Sequence, residues 1–558
     1  MPADPEHSAA EADDRAAHLD TGPAFEERRR EAAGNALRPA ALLWTLPALL
    51  VVFLSMAADR RFELGLPVAL VALLIACVGL LDALGTFDDR VVPATRLVRR
   101  HHLLRPLLLA LVSCGALVAS LRAAVAGVLP WPIFSAAVLV TSASVALLLS
   151  GYALVRGLGV FDDDEHPRRR LRERHGFWLL LLAILLYVPL LGSYSLIDPW
   201  ETHYGEVSRE MLARHDWISL WWAQEGWFWS KPALAFWLQG LAFLLFGVRY
   251  QPDAMLGSVA QGRFPQPEWA VRWPTMVLAL LATYLAYKAV AHVAGRGAGL
   301  LGGLVLLTSP YWFFIAHQSM TDMPYVACLT AALALVLLGL SCDPERKARG
   351  YAVSLLGRRW TLSLVHVVLG LVLMSAVPQI LYLLSRNLPL FLEAPSRGFR
   401  LQWDVFLAGS PGNCGLPGND DCFMTEAASV IQPAMSAVLW AAALGWLLVA
   451  KRGERRVQRL YFLAAWYFAA LSFLAKGAPG LVLPLVVVAV ALCAARRFRD
   501  FARLELVGCA LLIAAVALPW YVQAFLRHGS EFADRLLFHD MYKRAFVHVH
   551  DTNVGDDV

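Results

Sequence analysis

The stretch FWLLLLAILLYVPLLGSYSLIDPWETHYGEVSREM, residues 177–211, joins an apolar run over 177–195 to a segment crowded with acids and aromatics. A run of that length is close to what crosses a hydrocarbon core of about 30 Å. The residues that follow, through IDPWETHYGEVSREMLARHDWISLWWAQEGWFWSKP at Ile197–Pro232, carry the densest polar chemistry of the chain. Reactive groups therefore sit where a membrane segment emerges into water, which points to a reaction at the bilayer surface.

Working outward, apolar residues make up 58% of the 558 and charged residues 17%, with a mean hydropathy of +0.53; soluble domains carry about 25% charged residues. Membrane segments are expected near 40–58, 64–85, 103–126, 131–156, 177–195, 270–293, 297–316, 324–340, 361–384, 433–450, 457–475, 479–496 and 503–522, thirteen crossings in all. The basic clusters Arg96–Arg100, Arg168–Arg174, Arg346–Arg349, Lys451–Arg456 and Arg496–Arg499 fall in alternate loops, which the positive-inside rule makes cytoplasmic. The loops at 196–269, 317–323, 385–432 and beyond 522 then face outward. A net charge of +5 spread this way gives no reason to expect a nucleic-acid partner. Residues 1–38 read as a disordered cytoplasmic tail, 39–160 as an accessory four-helix membrane module, and 177–545 as the functional membrane domain, with 546–558 a tail.

Two acidic sites meet on the outward side. Asp198 and Glu201 follow the apolar run, where a carboxylate can take a hydroxyl's proton or cap a helix. Asp322, in HQSMTDMPYVA, falls in a short loop at the same face, with N-capping before Pro324 as the alternative. From Glu206 onward the chain reads as an amphipathic interfacial helix, with Glu210 and Arg214 an i,i+4 pair. Lys231 and Lys476 lie outside the cytoplasmic clusters and fit a lipid phosphate, or snorkel to the interface. Trp217, Trp221, Trp222, Trp227, Phe228 and Trp229 read as an interfacial aromatic belt. Cys414 and Cys422 bracket GLPGNDD in an outward loop and are expected to pair as a disulfide; the loop, with Trp403 and Asp404, reads as a lid or packing insert. His539, His548, His550, Asp540 and Asp551 lack a metal-ligand spacing, and no G-x-G-x-x-G strand-to-helix signature occurs, so no metal or cofactor is expected.

The ordered set DPWETHYGEVSREM, FWSKPALAFWL, EWAVRWP, SMTDMP, FLAKGAPGLVLP and ALPWY resembles the bacterial polyprenyl-phosphate-dependent glycosyltransferases of the GT-C fold, the superfamily of the lipid A aminoarabinose transferases and protein O-mannosyltransferases. The resemblance runs over about 177–545 and implies an all-α polytopic bundle of about 13 transmembrane helices with outward amphipathic interfacial helices. It further implies a sugar moved from a polyprenyl-phosphate donor to a lipid, protein or glycan acceptor, at the outer face of the cytoplasmic membrane. By the resemblance, Asp198 or Glu201 is the catalytic carboxylate, Asp322 the second acid, and Lys231 the holder of the donor phosphate. His203, Tyr204, Glu206 and Lys476 join Lys231 on the substrate side. In the aminoarabinose transferases Asp-Glu precedes Thr-Arg-Tyr, whereas here Trp200 takes the Asp position and His203 the Arg position; Glu201 matches in register and Asp198 is displaced by two. Family members continue beyond the point where this chain reads DTNVGDDV, with more membrane segments and an outward domain. A lipid or sugar transporter, with ionisable or broken-helix sites near the bilayer midplane, and a noncatalytic envelope-assembly protein are the alternative classes.

Overall fold

The computed structural model describes residues 100–157, 173–197, 199–248, 252–355, 358–387, 390–391, 398–399, 406–407, 423–424 and 433–543. The tail at 1–38, the segments at 40–58 and 64–85, Asp198, Trp403, Asp404, Cys414, Cys422, His548, His550 and Asp551 lie outside the described residues.

The described chain is built of helices: α1 (Arg100–Val125), α2 (Pro132–Gly157), α3 (His175–Tyr187), α4 (Trp200–Ala213), α5 (Leu234–Phe246), α6 (Pro252–Ala260), α7 (Glu268–Ala294), α8 (Arg296–Thr308), α9 (Pro310–Ala316), α10 (Asp322–Ser341), α11 (Leu364–Arg386), α12 (Pro433–Lys451), α13 (Val457–Lys476), α14 (Pro479–Ala494), α15 (Leu506–Leu512) and α16 (Leu518–Ala533). Two antiparallel ribbons matter for orientation: β1 (Trp221–Trp222) with β2 (Gly226–Trp227), and β3 (Tyr351–Leu355) with β4 (Arg358–Leu362). Among the described residues, eight helical stretches are long and apolar enough to cross a membrane, with α15 and α16 counted together in the continuous stretch Leu506–Lys543, or nine if α8 and α9, bent by 63° at Ser309–Pro310, make one broken span. Of the thirteen expected crossings, the eleven within described residues each fall on a helix, but those over 177–195 and 479–496 fall on helices shorter than a full span. One apolar helix, α5, lies inside the stretch 196–269 that the sequence reads as an outward loop.

The described residues divide into two compact units. The first takes in residues 100–120, 129–131, 138–157 and 173–181, and a cluster of Leu149, Tyr152 and Phe177 forms part of its core. The second takes in residues 121–128, 132–137 and 182–543. Its centre is α13, on which Trp466, Leu460, Ala465, Ala469 and Ala475 are fully enclosed, and which packs against α10, α14 and α15. Small residues let these helices approach closely, the usual basis of packing in lipid. A Cβ on Gly480 would stand 2.4 Å from the backbone carbonyl carbon of Ser472, so α14 turns back onto α13 only because residue 480 has none.

Gly480→Ala is therefore expected to destabilise the protein by about 1–3 kcal/mol, the range for overpacking a close contact. Gly445→Ala, with nothing within 4 Å of the added carbon, is the control. Thermal unfolding in detergent measures both.

Candidate active site

Irregular backbone leads from α3 into α4, and a buried arginine organises it. Glu201, in the first turn of α4, is 1% exposed, and Arg272, on α7, is 0% exposed. Arg272 donates from Nε and Nη2 to the two carboxylate oxygens of Glu201 at 2.8 and 2.7 Å. Its other N–H groups reach the carbonyls of Leu191, Tyr194 and Ser195 at 2.8, 2.8 and 2.9 Å, and the guanidinium lies 3.9 Å over the Tyr194 ring. All five guanidinium donors are thereby used. Glu201 also accepts from the backbone N–H groups of Ile197 and Ser319, both at 2.9 Å. Four N–H donors fill the roughly four lone-pair sites of a carboxylate, so neither simple helix capping nor a free acid describes Glu201.

Ser319 carries the network to the second acid. The 317–322 loop is held by Tyr194 Oη donating to the carbonyl of His317 at 2.8 Å, and by Gln239 Nε2 donating to that of Ser319 at 3.1 Å; Ser208 Oγ donates to Gln239 Oε1 at 2.6 Å. The loop ends at Asp322, the first residue of α10, whose Oδ1 accepts from Lys476 Nζ at 2.5 Å. This pair joins two residues singled out separately in the sequence, and at 25% and 33% side-chain exposure both remain open to a ligand. The ammonium also lies 5.6 Å from the centre of the Tyr325 ring. Lys476 ends α13 against Gly477, whose φ of +87° is in the region that favours glycine.

One turn into α4, the His203 ring stacks on Trp222 with centroids 3.6 Å apart and meets the edge of Phe228 at 4.9 Å. Its Nε2 is shielded and has no hydrogen-bond partner among the described residues. Burial, with the charge of Lys231 nearby, pushes its pKa down to about 4. Lys231 Nζ donates to the carbonyl of Ser230 at 3.1 Å. Tyr204 is buried between Phe228 and Phe236, and Glu206 pairs with Arg209 at 2.6 Å. Glu210 and Arg214 pair as expected, at 3.0 Å. The aromatics read as a membrane belt also pack on one another and on neighbouring helices. Trp221, Trp222 and Trp227 form the β1–β2 hairpin, with Trp221 and Phe228 buried, because the ribbon folds its rings onto α4 and onto His528 of α16.

The structure thus links Glu201, through Ser319, to the loop that ends at the Asp322–Lys476 pair, sets His203 near Lys231, and makes Tyr204 and Glu206 parts of α4's own packing. Sequence reading missed Arg272, although a charged residue inside an apolar run is a recognised signal. It also missed Asp216 and Arg527, a second buried pair joined at 2.8 Å.

Residues 264–397 match the family described as dolichyl-phosphate-mannose-protein mannosyltransferase. The chain is similar to the undecaprenyl phosphate-alpha-4-amino-4-deoxy-L-arabinose arabinosyl transferase of Edwardsiella ictaluri, 31% identical over 176 residues that make up 31% of this chain and 29% of that one. It is also similar to arabinosyl transferase 1 of that description from Sodalis glossinidius, 31% identical over 187 residues, 33% of this chain and 30% of that one. Among solved structures, ArnT from Cupriavidus metallidurans bound to undecaprenyl phosphate aligns with 66% of this chain and 44% of its own, at 18% identity and a TM-score of 0.39. The matched part spans about three tenths of the length of these curated relatives. The family and curated matches bear out the resemblance to polyprenyl-phosphate glycosyltransferases read from the ordered motifs, and the family match includes both Arg272 and Asp322.

Removing Arg272 strands a buried carboxylate, so Arg272→Met is expected to cost about 3–5 kcal/mol. Glu201→Leu combined with Arg272→Met should recover part of that loss, read from the melting temperature of purified protein. For His203 the sign follows from a folded pKa of about 4 below an unfolded value near 6.5. The unfolded chain takes the proton first, so stability falls as pH drops from about 6.5 towards 4. His203→Gln should flatten that part of the melting temperature–pH curve and leave it unchanged above pH 7.

Proposed function

We propose that this protein transfers a sugar from a polyprenyl-phosphate carrier to a lipid, protein or glycan acceptor at the outer face of the cytoplasmic membrane. The observation that carries the reading is the part-exposed Asp322–Lys476 pair, on a loop tied through Ser319 to the Glu201 network. Acids and cations converge at helix ends rather than at mid-helix, which favours an interfacial reaction over transport through the bundle. The donor in the relatives' names, undecaprenyl phosphate carrying 4-amino-4-deoxy-L-arabinose, makes a pentose the first sugar to test.

In this reading the acceptor oxygen attacks the anomeric carbon as the bond from that carbon to the phosphate oxygen breaks. The polyprenyl phosphate leaves with the bonding electrons, and Lys231 and Lys476 offset its charge. The acceptor proton passes to a carboxylate, which we assign to Asp198. Glu201 is a positioning residue, because its hydrogen bond to the N–H of Ile197 fixes the backbone immediately before Asp198. Asp322 orients the Lys476 ammonium. His203, neutral at physiological pH and covered by Trp222, leaves the donor's negative charge to the lysines.

In membranes supplied with the undecaprenyl-phosphate aminopentose and lipid A, transfer should fall by about 10²–10⁴-fold in Asp198→Asn, the range for loss of a general base. Lys476→Ala should raise the donor KM more than it lowers kcat. Full transfer by Asp198→Asn alongside loss in Asp322→Asn would move the base to Asp322, and full transfer by all three variants would overturn the site.

A further inference from the structure

A second buried charge pair lies apart from Glu201 and Asp322. Asp216 follows α4, and Arg527 sits on α16. Arg527 Nη1 donates to both oxygens of Asp216 at 2.8 Å and to Ser219 Oγ at 3.0 Å. Both side chains are almost wholly enclosed, at 1% and 7% exposure. Asp216 Oδ1 also accepts from the backbone N–H groups of Ile218 and Ser219 at 3.0 and 3.2 Å, and from Tyr382 Oη of α11 at 3.3 Å. Next along α16, His528 Nε2 lies 2.8 Å from Ser219 Oγ, and its ring lies 4.8 and 5.1 Å from those of Trp227 and Trp229. Trp520 of the same helix donates to the carbonyl of Ile218 at 3.0 Å.

All these bonds grip one segment, 216–220, which leads directly into the β1–β2 hairpin. The hairpin has only two residue pairs, Trp221 with Trp227 and Trp222 with Gly226. A ribbon so short is not stable by itself, so its position is set by what holds its base. That position in turn sets Trp222 on His203. We propose that Arg527 is a positioning residue: through Asp216 and Ser219 it holds the aromatic hairpin in place, so that Trp222 covers His203 beside Lys231. The consequence for sugar transfer rests on the proposed function; the consequence for the hairpin does not. Gly529, two residues beyond Arg527, has φ +63° and ψ −143° and breaks α16 there, so Arg527 grips the loop at the last turn before the helix changes direction.

Carbethoxylation of the His203-containing peptide by diethyl pyrocarbonate, followed by mass spectrometry at pH 8 and pH 5.5, tests the proposal on the full chain in detergent. The reagent attacks neutral imidazole. In the unaltered protein, with Trp222 on His203 and a pKa of about 4, the rate is low and nearly equal at the two pH values. In Arg527→Gln the rate at pH 8 should rise several-fold. The ratio of the rate at pH 5.5 to that at pH 8 should fall roughly ten-fold, as a freed imidazole returns towards its usual pKa of about 6.5. Arg527→Lys, which keeps a cation with three donors, should restore most of the original behaviour. Ser219→Ala, a small change at the same junction, should show a smaller shift in the same direction and serves if Arg527→Gln does not fold. Unaltered rates and ratio in Arg527→Gln, or in Ser219→Ala where that variant stands in, overturn the proposal. Where the unaltered protein transfers sugar, Arg527→Gln should raise the donor KM more than it lowers kcat. A shifted ratio with no transfer by the unaltered protein would leave the hairpin's anchoring intact and count against the enzymatic reading alone.

Discussion

The pairing of Glu201 with Arg272 is the constraint on which the end of the second unit around the start of α4 depends. Irregular backbone at a membrane boundary must have its carbonyls satisfied by something other than a helix or sheet. Arg272 does this for Leu191, Tyr194 and Ser195, and its charge is balanced by a carboxylate that in turn fixes Ile197 and Ser319. One guanidinium thus ties α7, the end of α3, the start of α4 and the 317–322 loop together. The cost of burying the two charges is offset by geometry, since neither partner keeps an unsatisfied group. An apolar pair of equal volume would fill the space but leave five backbone groups without partners.

Close packing reinforces the same junction. A Cβ on Gly192 would fall 2.0 Å from Trp269 Nε1, so the turn after α3 lies directly on the start of α7. Trp269 itself donates to Gln266 at 3.1 Å. The loop that delivers Glu201 is therefore defined from two sides, by hydrogen bonds to Arg272 and by contact with the tryptophan three residues before it.

How far the sequence could be read depended on the kind of interaction. Apolar runs declare membrane helices: of the eleven crossings expected among described residues, eight coincide with helices of membrane-spanning length, 297–316 with the bent pair α8–α9, and 177–195 and 479–496 with shorter helices. The pair Asp322 and Lys476 was legible as two separate anomalies, an acid and a cation at outward helix ends, although nothing in their spacing says that they touch. Arg272 was hidden by its setting, two residues into an expected apolar span from 270. Its partner Glu201 is 71 positions away, beyond any periodic pattern. The packing of the tryptophans was not legible for a physical reason: an aromatic cluster near a membrane boundary has the same composition whether it meets lipid or folds on itself. The short ribbon Trp221–Trp227 and the stacking of Trp222 on His203 are tertiary facts. Helix α5 was overlooked because its thirteen residues are too few for a full crossing and sit inside an otherwise polar region.

The two buried ion pairs also differ in when they can form. Glu201 waits for a partner 71 residues later, but Asp216 waits for one 311 residues later. At a synthesis rate of about 5–20 residues per second, that interval is roughly 15–60 s. During it, α4 and the Arg272 network can settle while the base of the aromatic hairpin is held by Trp237 Nε1 at the carbonyl of Trp217 and by Arg214 over the Trp221 ring, but not yet by Arg527. The acidic loop thus has all its partners before the tryptophan ribbon has its last one, and the arrival of α16 adds the grip of Arg527 to the contacts the ribbon already makes.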